Sequence, residues 1–383
     1  MLDRLPTELL TTIVRLAAPT TLTPGASPNA YLERHRTLKS CCLMFRRLCA
    51  IAQPMLPEVL ELMSEDDVKA MREAEVDGAL VEHMVVRGGG SEIPFAATAL
   101  GLCTNLVSLR LVNLGPVDLL CLDGMSRLTH LAVHDAHFSH SSAPFLPSLQ
   151  SISLSLVEID ETALGGLLST PATPNLCHLA LCGIRPPSEE VLHSTAALFQ
   201  SVLSPMLVER LDTLMLDTLD PFPLAFAFAP STFVLVDCPL TSGLEALLRE
   251  FPFRLPPHLS LNFPSDESVV LDEEADPDAA ADAADCLDEL AERIADPSLS
   301  NAQQTVKLVV LPSFAQTEYP TDGVIDCAIK RLVAACERRG VEVRWEEQPE
   351  RTQGSVLTEW MCERGSRMRE EREKVQRESE ELK

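Results

Sequence analysis

Two hydrophobic periodicities divide the chain. Apolar residues at helical spacing predict an amphipathic helix over residues 5–18, which begins with Pro6 in its first turn and ends at Pro19. A second apolar stripe predicts a helix over residues 31–52. From residue 56 onward the pattern changes, and the chain favours short strands joined by return segments.

The later pattern is the template LxxLxLxx followed by an apolar residue, and it occurs in five well-matched copies. The aligned positions of these copies are Leu109, Leu131, Ile152, Leu179 and Leu214. Their first three spacings fall in the period of roughly 20–29 residues that is typical of leucine-rich repeats. The longer spacing before Leu214 predicts a helical return. We expect each copy to supply one strand of a single parallel sheet, with the aligned positions facing inward.

Weaker copies extend the pattern on both sides. Residues 81–86 precede the five copies, residues 306–314 follow them, and shortened copies contain Phe233 and Leu259. Between the last two strand candidates lies an acidic insertion, residues 265–296. We expect its first half to be a mobile loop, because residues 265–282 carry no base and few apolar groups.

The end of the chain has a different character. A helix is predicted over about residues 323–338, followed by a terminal strand in the sequence VEVRW at 341–345. Residues 347–383 form a highly charged helix or tail. Only one of the two core positions of its heptad repeat is apolar, which favours a lone solvated helix over a coiled coil.

Charge narrows the range of partners. The net charge is −26, so neither nucleic acid nor an anionic membrane is an expected ligand. Residues 1–56 are the exception, with seven basic and three acidic residues. This local charge of +4 suggests an acidic protein partner, although chance clustering carries equal weight.

The twelve cysteines show no paired spacing of the kind found in a disulfide framework. Charges within the opening MLDRLPTELL argue against a secretory signal, and no apolar run is long enough to span a bilayer. We therefore expect a reduced compartment, the cytoplasm or nucleus, in which the cysteines act as small buried hydrophobes.

Candidate chemistry is sparse. Four histidines in HLAVHDAHFSH, residues 130–140, raise the possibility of a metal site, but surface histidines are the favoured interpretation. Cys177 and Cys182 form a CxxxxC, but no second pair of zinc ligands follows it. The glycine-rich RGGGSE at 87–92 lacks the Gly-Lys-Ser/Thr of a phosphate loop. The sequence predicts no catalytic residue, no cofactor and no metal.

The outward positions of the strands are the candidate binding surface. In a curved sheet these positions line the concave face, where small and polar residues suit either a protein partner or ordinary solvent. The predicted substrate-binding residues are Ser108, Arg110, His130, His134, Ser151, Ser153, His178, Thr213 and Asp217.

The N-terminal segment LPTELLTTIVRLA, followed by TLKSCCLMFRRLCAIAQPML, resembles the F-box. The likeness covers residues 4–56 and consists of an LPxEL opening, an aliphatic helix and a second helix with a basic and apolar end. Together with the leucine-rich repeats, the layout is similar to fungal F-box-like proteins. The expected fold is thus α/β: an F-box-like helical module at 1–56, and an irregular leucine-rich-repeat solenoid with one curved parallel sheet at 57–346.

This resemblance implies a binding role. An F-box docks onto the Skp-type adaptor of a cullin–RING ubiquitin ligase, while the repeats hold an unknown protein substrate. The alternative is a leucine-rich-repeat scaffold that binds a protein without ligase docking. The residues expected to contact the adaptor are Leu5, Pro6, Leu9, Leu10, Ile13, Val14, Leu38, Leu43, Met44, Leu48 and Ile51.

Overall fold

The computed structural model describes most of the chain. The described residues are 5–18, 28–44, 46–73, 77–88, 94–139, 143–185, 195–217, 230–235, 244–245, 247–249, 255–261, 277–296, 306–312 and 323–346. Residues 19–27, the first part of the acidic insertion, 265–276, and the charged segment predicted at 347–383 lie outside this range.

The chain forms two compact units. The first contains the described residues up to Ser153 together with Pro171–Asn175. The second contains Leu154–Thr170 and the described residues from Leu176 onward. The change from one unit to the other falls within a strand of the repeated pattern.

The first unit begins with three helices, α1 (Thr7–Ala17), α2 (Pro28–Met44) and α3 (Arg46–Ala52). Pro6 caps α1 with an extended backbone, and its carbonyl accepts a hydrogen bond of 3.1 Å from the Leu10 N–H. Proline suits this position because its missing N–H would have no helical partner there. The helix predicted over 31–52 is present where it is described, on both sides of position 45.

Further helices follow in the return segments. In the first unit they are α4 (Glu65–Glu73) and α5 (Pro94–Leu102). In the second unit they are α6 (Glu161–Leu168), α7 (Thr195–Val202), α8 (Pro205–Arg210), α9 (Pro277–Ala295) and α10 (Val324–Arg339). The helical return predicted before Leu214 is present as α7 and α8. Among the described residues, none of the helices combines the length and apolarity needed to cross a membrane.

The strands form an eleven-stranded sheet whose order follows the order of the chain. The strands are β1 (Val59–Leu62), β2 (His83–Arg87), β3 (Ser108–Asp118), β4 (His130–Ser139), β5 (Ser151–Glu158), β6 (His178–Cys182), β7 (Thr213–Leu216), β8 (Thr232–Leu235), β9 (His258–Leu261), β10 (Leu308–Pro312) and β11 (Glu342–Glu346). The predicted α/β class and the parallel sheet are confirmed. β1 was missed, since four residues directly after a 3-10 helix give too short a pattern to be recognised.

The register follows the aligned positions of the repeated template within each unit. In the first unit, Met84 of β2 pairs with Leu109 of β3, which pairs with Leu131 of β4. In the second unit the same row runs from β6 to β11 through Leu179, Leu214, Phe233, Leu259, Val309 and Val343. Parallel pairing without slippage keeps all of these side chains on one side of the sheet.

We call that side the leucine face, and it forms the core beneath the strands. Leu109, Leu131, Ile152, Leu179 and Leu214 are all buried. The predicted inward orientation of the aligned positions is confirmed. The side that carries the alternate residues is called the second face.

One backbone conformation recurs at the same place in four consecutive copies. Asn113, Asp135, Leu156 and Gly183, each four residues after its aligned position, all have a φ between +50° and +62°. Asparagine, aspartate and glycine tolerate this left-handed region, whereas leucine pays a steric cost. The copies thus share a bend as well as a strand.

The acidic insertion corrects one expectation. Residues 277–285 belong to α9 rather than to a loop, and Ala280, Ala283 and Ala284 are buried. Helix α9 packs against α10, and the Arg331 guanidinium donates hydrogen bonds of 2.7 and 2.8 Å to the carboxylate of Asp288. The loop was predicted from the number of acidic residues. The alanines of the same segment recur at helical spacing and form the buried face of the helix.

Candidate functional site

The three N-terminal helices enclose a small core of their own. Leu10 and Val14 of α1 pack with Leu38 of α2 and Leu48 of α3, and all four are almost fully buried. Leu10 and Val14 are four residues apart, so they form one face of α1. This face accounts for the packing of α1 against its neighbours.

A second apolar face of α1 points to solvent. Leu9, Ile13 and Leu16 follow the i, i+4, i+7 spacing of a single helix face, and their exposed fractions are 52%, 40% and 78%. Helix α1 therefore presents apolar side chains both to the core and away from it. A contiguous exposed apolar face is characteristic of an interaction surface.

Two further exposed apolar residues end α2. Leu43 is 87% exposed and Met44 is 62% exposed. The Arg47 Nη2 donates a hydrogen bond of 3.2 Å to the Thr7 hydroxyl. This bond places Arg47, three residues after Met44, beside the first turn of α1. We call Leu9, Ile13, Leu16, Leu43 and Met44 together the apolar patch.

The exposed charged side chains of the three helices are mainly basic. Five cationic side chains of the three helices are exposed, while Arg34 is buried. The exposed cations are Arg15, Arg36, Lys39, Arg46 and Arg47. Glu8 is the one acidic residue among the exposed side chains described in these helices. Exposed apolar side chains on a basic helical module suit an acidic protein surface.

The predicted adaptor-binding residues separate into two groups. Pro6, Leu9, Ile13, Leu43 and Met44 are exposed, and Leu5 and Ile51 are half-buried. The remaining four, Leu10, Val14, Leu38 and Leu48, are buried in the core shared by the three helices, and their contact with an adaptor stays a prediction. Leu16 was not predicted to bind, although its place seven residues after Leu9 was a readable signal.

The predicted substrate-binding residues differ in exposure in a similar way. Ser108, Arg110, His130, His134 and His178 are half-exposed on the second face. Four others are buried, each less than 7% exposed: Ser151, Ser153, Thr213 and Asp217. The Asp217 carboxylate instead accepts a 2.5 Å hydrogen bond from the Gly183 N–H. These four side chains offer little surface to a partner.

Burial limits the reactivity of several histidine and cysteine side chains. Burial lowers the pKa of His134, which keeps its ring neutral. Burial raises the pKa of Cys103 to about 11, of Cys121 to about 12 and of Cys336 to about 11, so these thiols are poor nucleophiles. Among the described residues, one group of potential metal ligands converges, formed by Cys177, His178 and Asp212. His130, His134 and His137 are not part of it, and His140 lies outside the described residues.

Neither the models of known protein families nor the curated proteins gave a significant match to this chain.

Proposed function

We propose that the chain recruits a protein substrate to a cullin–RING ubiquitin ligase, with the three N-terminal helices docking onto the Skp-type adaptor. The apolar patch is the observation that carries this proposal. Its five side chains are exposed although the helices already possess a closed core. Their exposure is therefore not explained by the packing of these helices.

The energy available from the apolar patch is adequate for specific binding. Complete burial of a large aliphatic or methionine side chain contributes about 1.5–3 kcal/mol. The patch offers five such side chains, each between 40% and 87% exposed. Part of this gain is offset by the cost of association, and the exposed cations of the helices would accelerate encounter with an acidic partner.

The sequence resemblance supports the same assignment. The LPxEL opening places Pro6 at the start of α1, and the same helix carries three residues of the apolar patch. The +4 charge of residues 1–56 complements an adaptor that is acidic in this family. On this proposal the repeated strands resemble leucine-rich repeats and hold the substrate, with the half-exposed second-face residues of β2–β4 as its first candidate contacts.

The test is a binding measurement between the full-length chain and a purified Skp-type adaptor. We expect the double variant Leu16→Asp with Leu43→Asp to weaken binding by at least about a hundredfold, because two anchoring side chains become charged. Its melting temperature should stay near that of the unaltered protein, since both residues are exposed in the free chain.

The matched control is Met206→Asp. Met206 lies on α8 and is 73% exposed, so it tests the effect of placing a charge at an exposed apolar position elsewhere. This variant should bind the adaptor as tightly as the unaltered chain. Absence of adaptor binding by the unaltered chain would reject ligase docking and leave the scaffold without ligase docking as the better description.

A further inference from the structure

A mixed group of metal-ligating side chains lies at the start of two adjacent strands in the second unit. Cys177 directly precedes β6, and Asp212 directly precedes β7. The Cys177 carbonyl accepts hydrogen bonds from the Asp212 N–H at 2.8 Å and from the Thr213 N–H at 3.1 Å. This shared carbonyl fixes the two strand starts side by side, although they are 35 positions apart in the sequence.

His178, the first residue of β6, completes the group. The Cys177 Sγ, a ring nitrogen of His178 and a carboxylate oxygen of Asp212 all lie within 4.8 Å of one another. All three residues are half-buried. They are therefore accessible to a small ion from solvent, while burial limits the freedom of their side chains.

The donor set selects the kind of ion. A thiolate and an imidazole are ligands for transition metals, whereas calcium and magnesium require oxygen atoms. Zinc binds sulfur at about 2.3 Å, and nitrogen or oxygen at about 2.0–2.2 Å, usually in a tetrahedron. Those bond lengths place the ligand atoms roughly 3.3–3.8 Å apart. Side-chain rotations that move the ligand atoms by about 1 Å would bring the three atoms to that spacing.

We propose that Cys177, His178 and Asp212 bind a zinc ion, with water in the fourth position. The ion links the start of β6 to the start of β7 and stabilises the second unit, because an ion that binds only the folded chain favours folding. The sequence offered little sign of this site. Cys177 was visible only as half of a CxxxxC, and Asp212 approaches it only through the pairing of the strands.

The experiment is a metal titration of the full-length, chemically reduced chain. Zinc binding is measured by competition with a chromophoric chelator, and cobalt is used as a spectroscopic substitute. We expect zinc to raise the melting temperature. We also expect cobalt to produce a thiolate-to-metal charge-transfer band, which reports sulfur coordination directly.

Three variants assign the ligands. Cys177→Ser, His178→Gln and Asp212→Asn should each bind zinc at least about tenfold more weakly, and Cys177→Ser should also lose the cobalt–thiolate band. The control is Cys182→Ser, at the other end of β6. It removes a thiol from the same strand but leaves the proposed ligands in place, so zinc affinity and the cobalt band should persist.

The chain has other cysteines that could also bind zinc, so only the comparison between variants assigns the metal to the proposed ligands. If the unaltered chain binds no zinc, or if Cys177→Ser binds zinc as tightly as the unaltered chain, the proposal is overturned. Circular dichroism establishes whether each variant is folded. Should Cys177→Ser fail to fold, the other two variants decide the question, and undiminished affinity in both would equally reject the site. Adaptor binding plays no part in any of these measurements.

Discussion

The second face of the sheet differs between the strands of the two units, although the leucine face is the same. In β2 and β4 the alternate residues are half-exposed, as shown by His83 and Val85 in β2 and by Ala132 in β4. In β7 and β8 the equivalent residues Met215 and Val234 are completely buried. One repeated pattern therefore supports two kinds of strand, one covered on a single face and the other covered on both.

The amino acids of the strands follow this difference. The β2 and β4 second face carries histidine, arginine and alanine, whereas the short strands β7 (TLML), β8 (TFVL) and β10 (LVVLP) are almost continuously apolar. Parallel strands buried on both faces typically show such continuous runs. The comparison teaches that a binding surface on the second face is available in β2–β4 and is largely closed in β7–β10.

The strongest test of this comparison places a charge at equivalent positions. Val234→Asp should destabilise the chain by roughly 4–5 kcal/mol or prevent folding, because the carboxylate would be buried without a partner. Val85→Asp occupies the corresponding register position in β2 but is half-exposed, and it should cost less than about 1 kcal/mol. Chemical denaturation of both variants measures the difference. Equal costs would show that the second face is equally open in both strands.

The leucine face should respond alike in both units. Leu131→Ala and Leu214→Ala each remove a side chain that is at most 1% exposed, and each should cost about 2–5 kcal/mol. His134→Ala, on the second face of β4, should cost less than about 1 kcal/mol. The reverse ranking in thermal melts would place the register one residue away from the observed one. Ser151 and Thr213, which the sequence predicted to lie on the binding surface, are buried and do not serve as neutral controls.

A smaller effect is expected at the shared bend. Gly183→Ala should cost about 1–3 kcal/mol, since φ is +62° and the new Cβ would lie 2.7 Å from the Leu156 Cδ2. At the equivalent bend of β3, Asn113→Gly should be neutral or slightly stabilising, because glycine adopts this conformation without strain. If Gly183→Ala is as stable as the unaltered chain, the bend is not fixed at this copy.

The smallest effect concerns pH in the open part of the second face. Burial lowers the pKa of His134 in the folded chain, and the nearby Arg110 lowers it further, while Asp135 opposes both. The unfolded chain therefore takes up a proton first as the pH falls below about 6.5. Stability attributable to His134 is present above that pH and declines as the pH falls towards the folded value. His134→Gln should reduce this decline in melts between about pH 7.5 and pH 5.5, the range in which histidine titrates. An unchanged decline would assign it to other groups.

Sequence periodicity by itself determined most of the strands and the positions in them that face the core. The aligned leucines predicted β3–β7 correctly, because a side chain that must be buried every second residue leaves a strong signal in one copy and a stronger one in five. It also indicated α1 and its apolar residues. Periodicity could not distinguish the residues of α1 that pack internally from those that remain exposed, since Leu9 and Leu10 are chemically identical.

Only the tertiary structure decided what covers each apolar surface. Whether Leu10 is buried and Leu9 exposed depends on where α2 and α3 pack, and whether Val85 or Val234 meets solvent depends on neighbours distant in the sequence. The same holds for α9, whose alanine face is buried against a helix that begins 47 positions after Pro277. Cys177 and Asp212 likewise come together through strand pairing. Burial is a property of packed neighbours, and a local pattern specifies which side is apolar but not what lies against it.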